Sequence, residues 1–301
     1  MSDLLFRGTA PALVTPFTSD DQLDEAAFRR IIDFQIDGGV EGLVVLGTTG
    51  ENPTVTHAER RRLIELAIEQ ADGRAPVIAG TGTNNTAESV EFSKEAAAAG
   101  ADALLIVGPY YNKPTPNGLV NHVSMIAEAA DAPIMLYNVP GRTGSNITAE
   151  TTLRIAEEIP LVFGVKEASG NLAQIADILA HRPDGFGVYS GDDDMTLAML
   201  ALGADGLVSV AANALPKEVS ELVRLGLAGD FEAARKLHFR LLDAMRASFY
   251  EANPGPIKAV MAEQGLLEET VRPPLATIEP DTRERVLRAY GPLIKAATPS
   301  V

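Results

Sequence analysis

The feature that most constrains this fold is an alternation sustained along most of the chain. Eight short apolar, β-rich runs recur: Ala10–Val14, Gly42–Leu46, Pro76–Ala79, Ala103–Val107, Ile134–Tyr137, Val162–Lys166, Phe186–Ser190 and Gly206–Val210. Between them lie amphipathic stretches with helical spacing, such as Ala58–Gln70, with Leu63, Leu66 and Ala67 on one face, and Thr86–Ala99. Eight strand–helix units with no second composition type predict an α/β fold, a (β/α)8 TIM barrel, over residues 1–225. A doubly wound open sheet is the alternative. After the eighth helix, Leu215–Leu225, the strands stop. Asp230–Tyr250 and Asp281–Ala297 predict helices on either side of the break Asn253-Pro254-Gly255-Pro256. No linker precedes them, so residues 226–301 are expected to form a helical appendage packed on the barrel.

Composition removes several function classes. Of 301 residues, 46% are hydrophobic, enough for a large core, yet no apolar run approaches the roughly 18 residues of a membrane span. The first residues, Met1-Ser2-Asp3-Leu4-Leu5-Phe6-Arg7, lack the basic and apolar segments of a signal peptide, so a cytoplasmic protein is expected. The absence of cysteine excludes disulfides, thiolate catalysis and cysteine metal sites. A net charge of −16 argues against nucleic acid as a partner.

In a barrel the active site gathers where the strands end, so the residues after each run are the place to look for chemistry. Lys166 closes the run Leu161-Val162-Phe163-Gly164-Val165. An amine is a nucleophile near neutral pH only when its charged form is disfavoured, and apolar neighbours achieve that by desolvation. Lys166 is therefore the candidate for a Schiff base, the alternative being a lysine that reaches out to solvent. Gly47-Thr48-Thr49-Gly50 follows strand two and can aim N–H groups and two hydroxyls at a carboxylate or oxyanion, if it is more than an ordinary turn. Tyr111 and Tyr137, at the ends of strands four and five, carry phenols able to relay protons through a hydroxyl such as Thr48, or to serve as an aromatic lid. Arg142, in Pro140-Gly141-Arg142-Thr143-Gly144, offers a fork for a carboxylate or for a surface salt bridge.

Negative findings narrow the chemistry. His57, His122, His181 and His238 show no metal-ligand spacing and none follows a strand, which disfavours a metal-dependent aldolase. Gly191-Asp192-Asp193-Asp194 after strand seven is acidic where many barrels hold phosphate, so a phosphorylated substrate is not expected.

Taken together, Gly47–Glu51, Tyr110-Tyr111-Asn112-Lys113-Pro114, Tyr137–Thr143, Val165–Gly170 and Gly191-Asp192-Asp193 resemble the pyruvate-dependent class I aldolase and lyase family typified by dihydrodipicolinate synthase. The resemblance runs over essentially the whole chain. It implies that Lys166 forms an imine with pyruvate and that Thr48 and Thr49 bind the pyruvate carboxylate. Tyr137 would give and take protons through Thr48 and Tyr111, while Gly191 and Val208 line the pocket around the imine. It implies no metal and no organic cofactor. The tyrosine matching Tyr111 reaches into a neighbouring subunit in this family, so a dimer is the expected active unit and a homotetramer, a dimer of dimers, the expected state. Thr49 with Arg142 resembles the synthase subgroup, in which the arginine holds aspartate semialdehyde. That implies 4-hydroxy-tetrahydrodipicolinate as product, at the first committed step of the diaminopimelate route to lysine. The alternative is a keto-sugar acid aldolase or dehydratase of the 2-keto-3-deoxygluconate or N-acetylneuraminate lyase type. Glu51 and Asn253 read as structural. His57, Asn84, Glu88 and Tyr110 match an allosteric lysine site, but Pro53 and Arg60 depart from the enterobacterial pattern. A cationic Arg60 opposes a cationic effector, so weak or absent inhibition is expected.

Overall fold

A computed structural model describes residues 4–297. Eight parallel strands form the barrel: β1 Gly8–Pro11, β2 Leu43–Val45, β3 Val77–Gly80, β4 Ala103–Val107, β5 Ile134–Asn138, β6 Val162–Glu167, β7 Gly187–Ser190 and β8 Gly206–Ser209. They pair in the order β1-β8-β7-β6-β5-β4-β3-β2. The ring closes between β1 and β2 through a parallel bridge at Ala12 and Val44, with Leu13 N–H donating to Val44 O at 2.8 Å. The open sheet is thereby set aside.

The helices are α1 Glu25–Asp37, α2 His57–Ala71, α3 Thr86–Ala99, α4 Pro116–Ala130, the single turn α5 Pro140–Thr143, α6 Ala149–Glu158, α7 Leu172–His181, α8 Thr196–Ala201 and α9 Pro216–Leu227. Beyond the barrel come α10 Phe231–Ala247, α11 Gly255–Glu263 and α12 Pro280–Ala297. Helix α10 packs against α8 and α9, and α12 packs against α10 and α11. Among the described residues, no helix is long and apolar enough to cross a membrane.

Side-chain alternation along the strands builds two cores. On β4, Ala103 and Leu105 join the barrel interior with Val44, Ile78, Met135, Tyr137 and Val208, whereas Leu104 and Ile106 face the helices. The interior ends at Phe6, whose ring stacks on Tyr189 at 4.5 Å between centroids while Tyr189 Oη donates to Phe6 O at 2.7 Å.

Two sequence expectations need correction. Strand one lies at Gly8–Pro11 rather than at Ala10–Val14. The apolar run continues past Pro11, but Val14 N–H bonds to the Asn213 side chain at 3.1 Å instead of to a strand. Helix α11 begins inside the segment expected to be a break, Asn253-Pro254-Gly255-Pro256. Pro256 in fact sits in the first turn, where the N–H that proline lacks would have no intrahelical acceptor.

Candidate active site

Strand β6 carries Lys166 into the barrel mouth in register with Tyr137 on β5 and Tyr189 on β7. Lys166 is 4% exposed, and its Nζ lies 4.3 Å from the centre of the Tyr137 ring. Among the described residues this amine has no hydrogen-bond or ion-pair partner. It therefore does not reach out to solvent. Gly191 packs against its stem: a Cβ there would lie 2.6 Å from Ala168 Cβ and 3.2 Å from Lys166 Cε, so a side chain would clash with Ala168 and crowd the lysine. Val208 is fully buried in the same interior.

The next two residues after Gly191 divide their work. Burial pushes the Asp192 carboxyl up to about 6, with the Lys166 charge pulling the other way. Asp193 turns inward, accepting from Ser209 Oγ at 2.5 Å and from the N–H groups of Val210 and Ala211 at 3.0 and 3.2 Å. These amides follow β8, where barrels of this type commonly seat a phosphate. An internal carboxylate holds them here, which gives the acidic loop a physical reason.

The loop after β2 is a tight double turn, with Gly50 N–H donating to Gly47 O and Glu51 N–H to Thr48 O, both at 3.1 Å. It is flanked by left-handed backbone at Leu46 (φ 58°) and Glu51 (φ 55°), a conformation that non-glycine residues hold only when neighbours enforce it. The enforcing groups come from far along the chain. Thr49 is buried and accepts from Asn253 Nδ2 at 2.9 Å. Glu51 and Lys258 form an ion pair in which both side chains are fully buried. Glu51 also accepts from Arg272 N–H at 2.9 Å, and Lys258 donates to Thr270 O at 2.7 Å. Burial draws the Lys258 ammonium below the ordinary lysine range against the pull of Glu51. The sequence reading left Glu51 and Asn253 as structural and did not single out Lys258. A lone charge inside Pro256-Ile257-Lys258-Ala259-Val260-Met261 was the available signal.

A cavity of about 480 Å³ opens beside Tyr137, lined by Thr48, Arg142, Arg60, Glu88 and Tyr110 among others. Tyr137 thus has the amine over its ring and the cavity at its edge. Arg142, raised on the α5 turn, has no ion pair among the described residues, so the surface salt bridge is not formed. Arg60 is 4% exposed, lies 4.1 Å over the Phe92 ring and donates to Gly80 O at 2.9 Å and to Asn52 Oδ1. Burial pulls it down to about 10, which leaves it cationic at neutral pH.

Other candidates lie apart. Tyr111 is 89% exposed, and no hydrogen bond joins the hydroxyls of Tyr111, Thr48 and Tyr137 among the described residues. Left-handed backbone at Tyr111 (φ 68°) and Lys113 (φ 41°) marks the turn that carries it outward. Of the effector residues, Glu88 and Tyr110 line the cavity, whereas His57 and Asn84 do not. His57 Nε2 instead meets the half-buried Glu95 at 2.6 Å, and with the exposed Glu91 they form a trio on α2 and α3. His122 is buried on α4, which draws it down to about 4.

A model of the dihydrodipicolinate synthetase family matches residues 5–290. The chain belongs to this family. It is 64% identical, over 97% of either chain, to the 4-hydroxy-tetrahydrodipicolinate synthase of Salinibacter ruber. Identity to the synthase of the same name from Koribacter versatilis is 50%, over 97% of this chain and 98% of that one. The dihydrodipicolinate synthase structure from Thermotoga maritima superposes with a TM-score of 0.94 at 41% identity, covering 96% of this chain and 98% of that one. Dihydrodipicolinate synthetase family membership therefore spans the barrel and reaches into α12.

Proposed function

We infer that the chain condenses pyruvate with aspartate semialdehyde to 4-hydroxy-tetrahydrodipicolinate, a lyase-class reaction on the diaminopimelate route to lysine. The observation that carries the chemistry is Lys166, buried with no ion-pair partner among the described residues, at the mouth of a barrel and over the ring of Tyr137. The relatives' shared name supports the choice of substrates.

Lys166 Nζ attacks the pyruvate carbonyl carbon, and loss of water gives an imine. The imine withdraws electrons from the methyl group, so a proton leaves and an enamine forms. The enamine carbon attacks the aldehyde carbon, making the new C–C bond and a hydroxyl. The amine of the semialdehyde then displaces the lysine nitrogen, closing the ring and freeing Lys166. Tyr137 exchanges these protons, a role supported by the Lys166 amine 4.3 Å from the centre of its ring and by Thr48 on the same cavity. Thr48 and Thr49 take the pyruvate carboxylate, Gly191 and Val208 shape the imine pocket, and the unpaired Arg142 takes the carboxylate of the semialdehyde. This sequence of steps calls for no metal and no organic cofactor.

Tyr111 completes the relay in the site of a second copy, a reading that its 89% exposure supports. The dimer is then the minimal active unit and a cytoplasmic homotetramer the working form. The cation at Arg60, on the cavity wall with Glu88 and Tyr110, opposes lysine as an effector. An inhibition constant for lysine in the low micromolar to submillimolar range would overturn that part. The reaction is tested by steady-state turnover of pyruvate and aspartate semialdehyde, coupled to the next reductase, beside Lys166→Ala. Turnover that vanishes in the variant is expected. No turnover by folded wild-type protein would reject the synthase reading in favour of a keto-sugar acid lyase.

A further inference from the structure

The brace between the β2 loop and the start of α11 has a chemical consequence as well as a mechanical one. Asn253 is 5% exposed, and its side chain makes one hydrogen bond among the described residues, from Nδ2 to Thr49 Oγ1 at 2.9 Å. Its Oδ1 is buried with no partner among the described residues. Burying an amide for a single bond is a poor way to gain stability, since the unpaired oxygen costs more than one neutral bond returns. The bond is better understood through the partner. A threonine hydroxyl has one proton and accepts through its lone pairs. When Asn253 donates to that oxygen, the Thr49 proton cannot point back along the same line, and must point to another acceptor.

We propose that Asn253 is a positioning residue for the carboxylate end of the site: it fixes Thr49 as a hydrogen-bond donor toward pyruvate. The proposal rests on the reading above, in which Thr48 and Thr49 hold the pyruvate carboxylate. Glu51 and Lys258 complete the device by clamping the left-handed residue that ends the loop, so hydroxyl direction and loop backbone are both set by the same short segment. A hydroxyl oriented before the ligand arrives binds without paying its rotor entropy on binding, and a charge-assisted bond to a carboxylate is stronger than a neutral one.

The test is a double-mutant cycle on pyruvate KM. Asn253→Ala should raise pyruvate KM about tenfold while kcat at saturating pyruvate and KM for aspartate semialdehyde change little. In a Thr49→Val background, where there is no proton to direct, adding Asn253→Ala should change pyruvate KM less than about twofold. An asparagine that acted through its packing rather than through the Thr49 hydroxyl would give the same loss in both backgrounds, and that result, or a wild-type pyruvate KM in Asn253→Ala, would overturn the proposal. If Asn253→Ala does not fold, Asn253→Asp keeps the shape but accepts the Thr49 proton and repels the ligand. It should raise pyruvate KM at least as far, and an unchanged KM would again overturn the proposal. Borohydride trapping of pyruvate on the wild-type protein separates the two levels. Failure to trap removes the underlying reading and the proposal with it, whereas trapping with an unchanged KM in the variants removes the proposal alone.

Discussion

Two loops at the barrel mouth present the hydroxyls to which we assign the chemistry, and they are held in opposite ways. Thr48–Glu51, after β2, is gripped from behind by Asn253, Lys258 and Arg272, more than 200 residues away along the chain. Tyr110–Lys113, after β4, ends in a tyrosine that is 89% exposed. Both loops contain non-glycine residues with left-handed backbone, yet only the first buries the residue concerned: Glu51 is 2% exposed. The difference teaches that the β2 loop is braced within one chain, whereas the β4 loop is not; on the function proposed above, the first would bind the pyruvate carboxylate unaided and the second would need a second copy to complete the proton relay.

Breaking the braced wall should produce the largest effect. Lys258→Met leaves Glu51 buried with its main cationic partner gone, and urea unfolding should show a loss of about 3–5 kcal/mol. A loss under about 1 kcal/mol would mean that water reaches the pair and the brace is weak. The other wall should behave in reverse. Tyr111→Phe should lower kcat by about a hundredfold while stability stays within about 0.5 kcal/mol. Equal damage to both quantities would erase the contrast. Mixing Tyr111→Phe with Lys166→Ala protein should then restore part of the activity if copies exchange tyrosines, because a hybrid dimer contains one intact site.

A smaller effect concerns the floor near Lys166. The Asp192 carboxyl is held at about 6 in the folded chain, above its ordinary value of 3.8. A carboxyl raised in this way binds its proton more tightly folded than unfolded. Its contribution to stability is full below 3.8 and is lost as pH rises through about 6. Asp192→Asn removes that titration. Relative to wild type, the variant should therefore gain roughly 2 kcal/mol between pH 4 and pH 7.5. An identical pH dependence of unfolding in both proteins would show Asp192 to be well solvated.

The contrast also marks where a sequence can be read and where it cannot. The barrel was legible because apolar strands and amphipathic helices each leave a local period, and because strand ends locate a barrel's chemistry. Lys166, Tyr137 and the Gly47–Gly50 turn could all be picked out from that rule. The brace was not legible, since nothing near Glu51 in sequence points to Lys258 or Arg272. Helix α11 was hidden by prolines that favour a helix start as much as a break. Strand one was misplaced because an apolar run says nothing of whether its amides pair with a strand or with a side chain such as Asn213. For Tyr111 only the family resemblance offered a place, in a neighbouring subunit, because nothing local in the sequence says that its ring is 89% exposed on its own chain.

The central claim is that Lys166, and not Lys258, the other lysine buried among the described residues, is the nucleophile. The direct measurement is peptide mass spectrometry of the protein incubated with pyruvate and reduced with borohydride. A reduced pyruvate adduct confined to the peptide containing Lys166 is the predicted result. An adduct on Lys258, or none on either lysine in folded protein, would contradict the account.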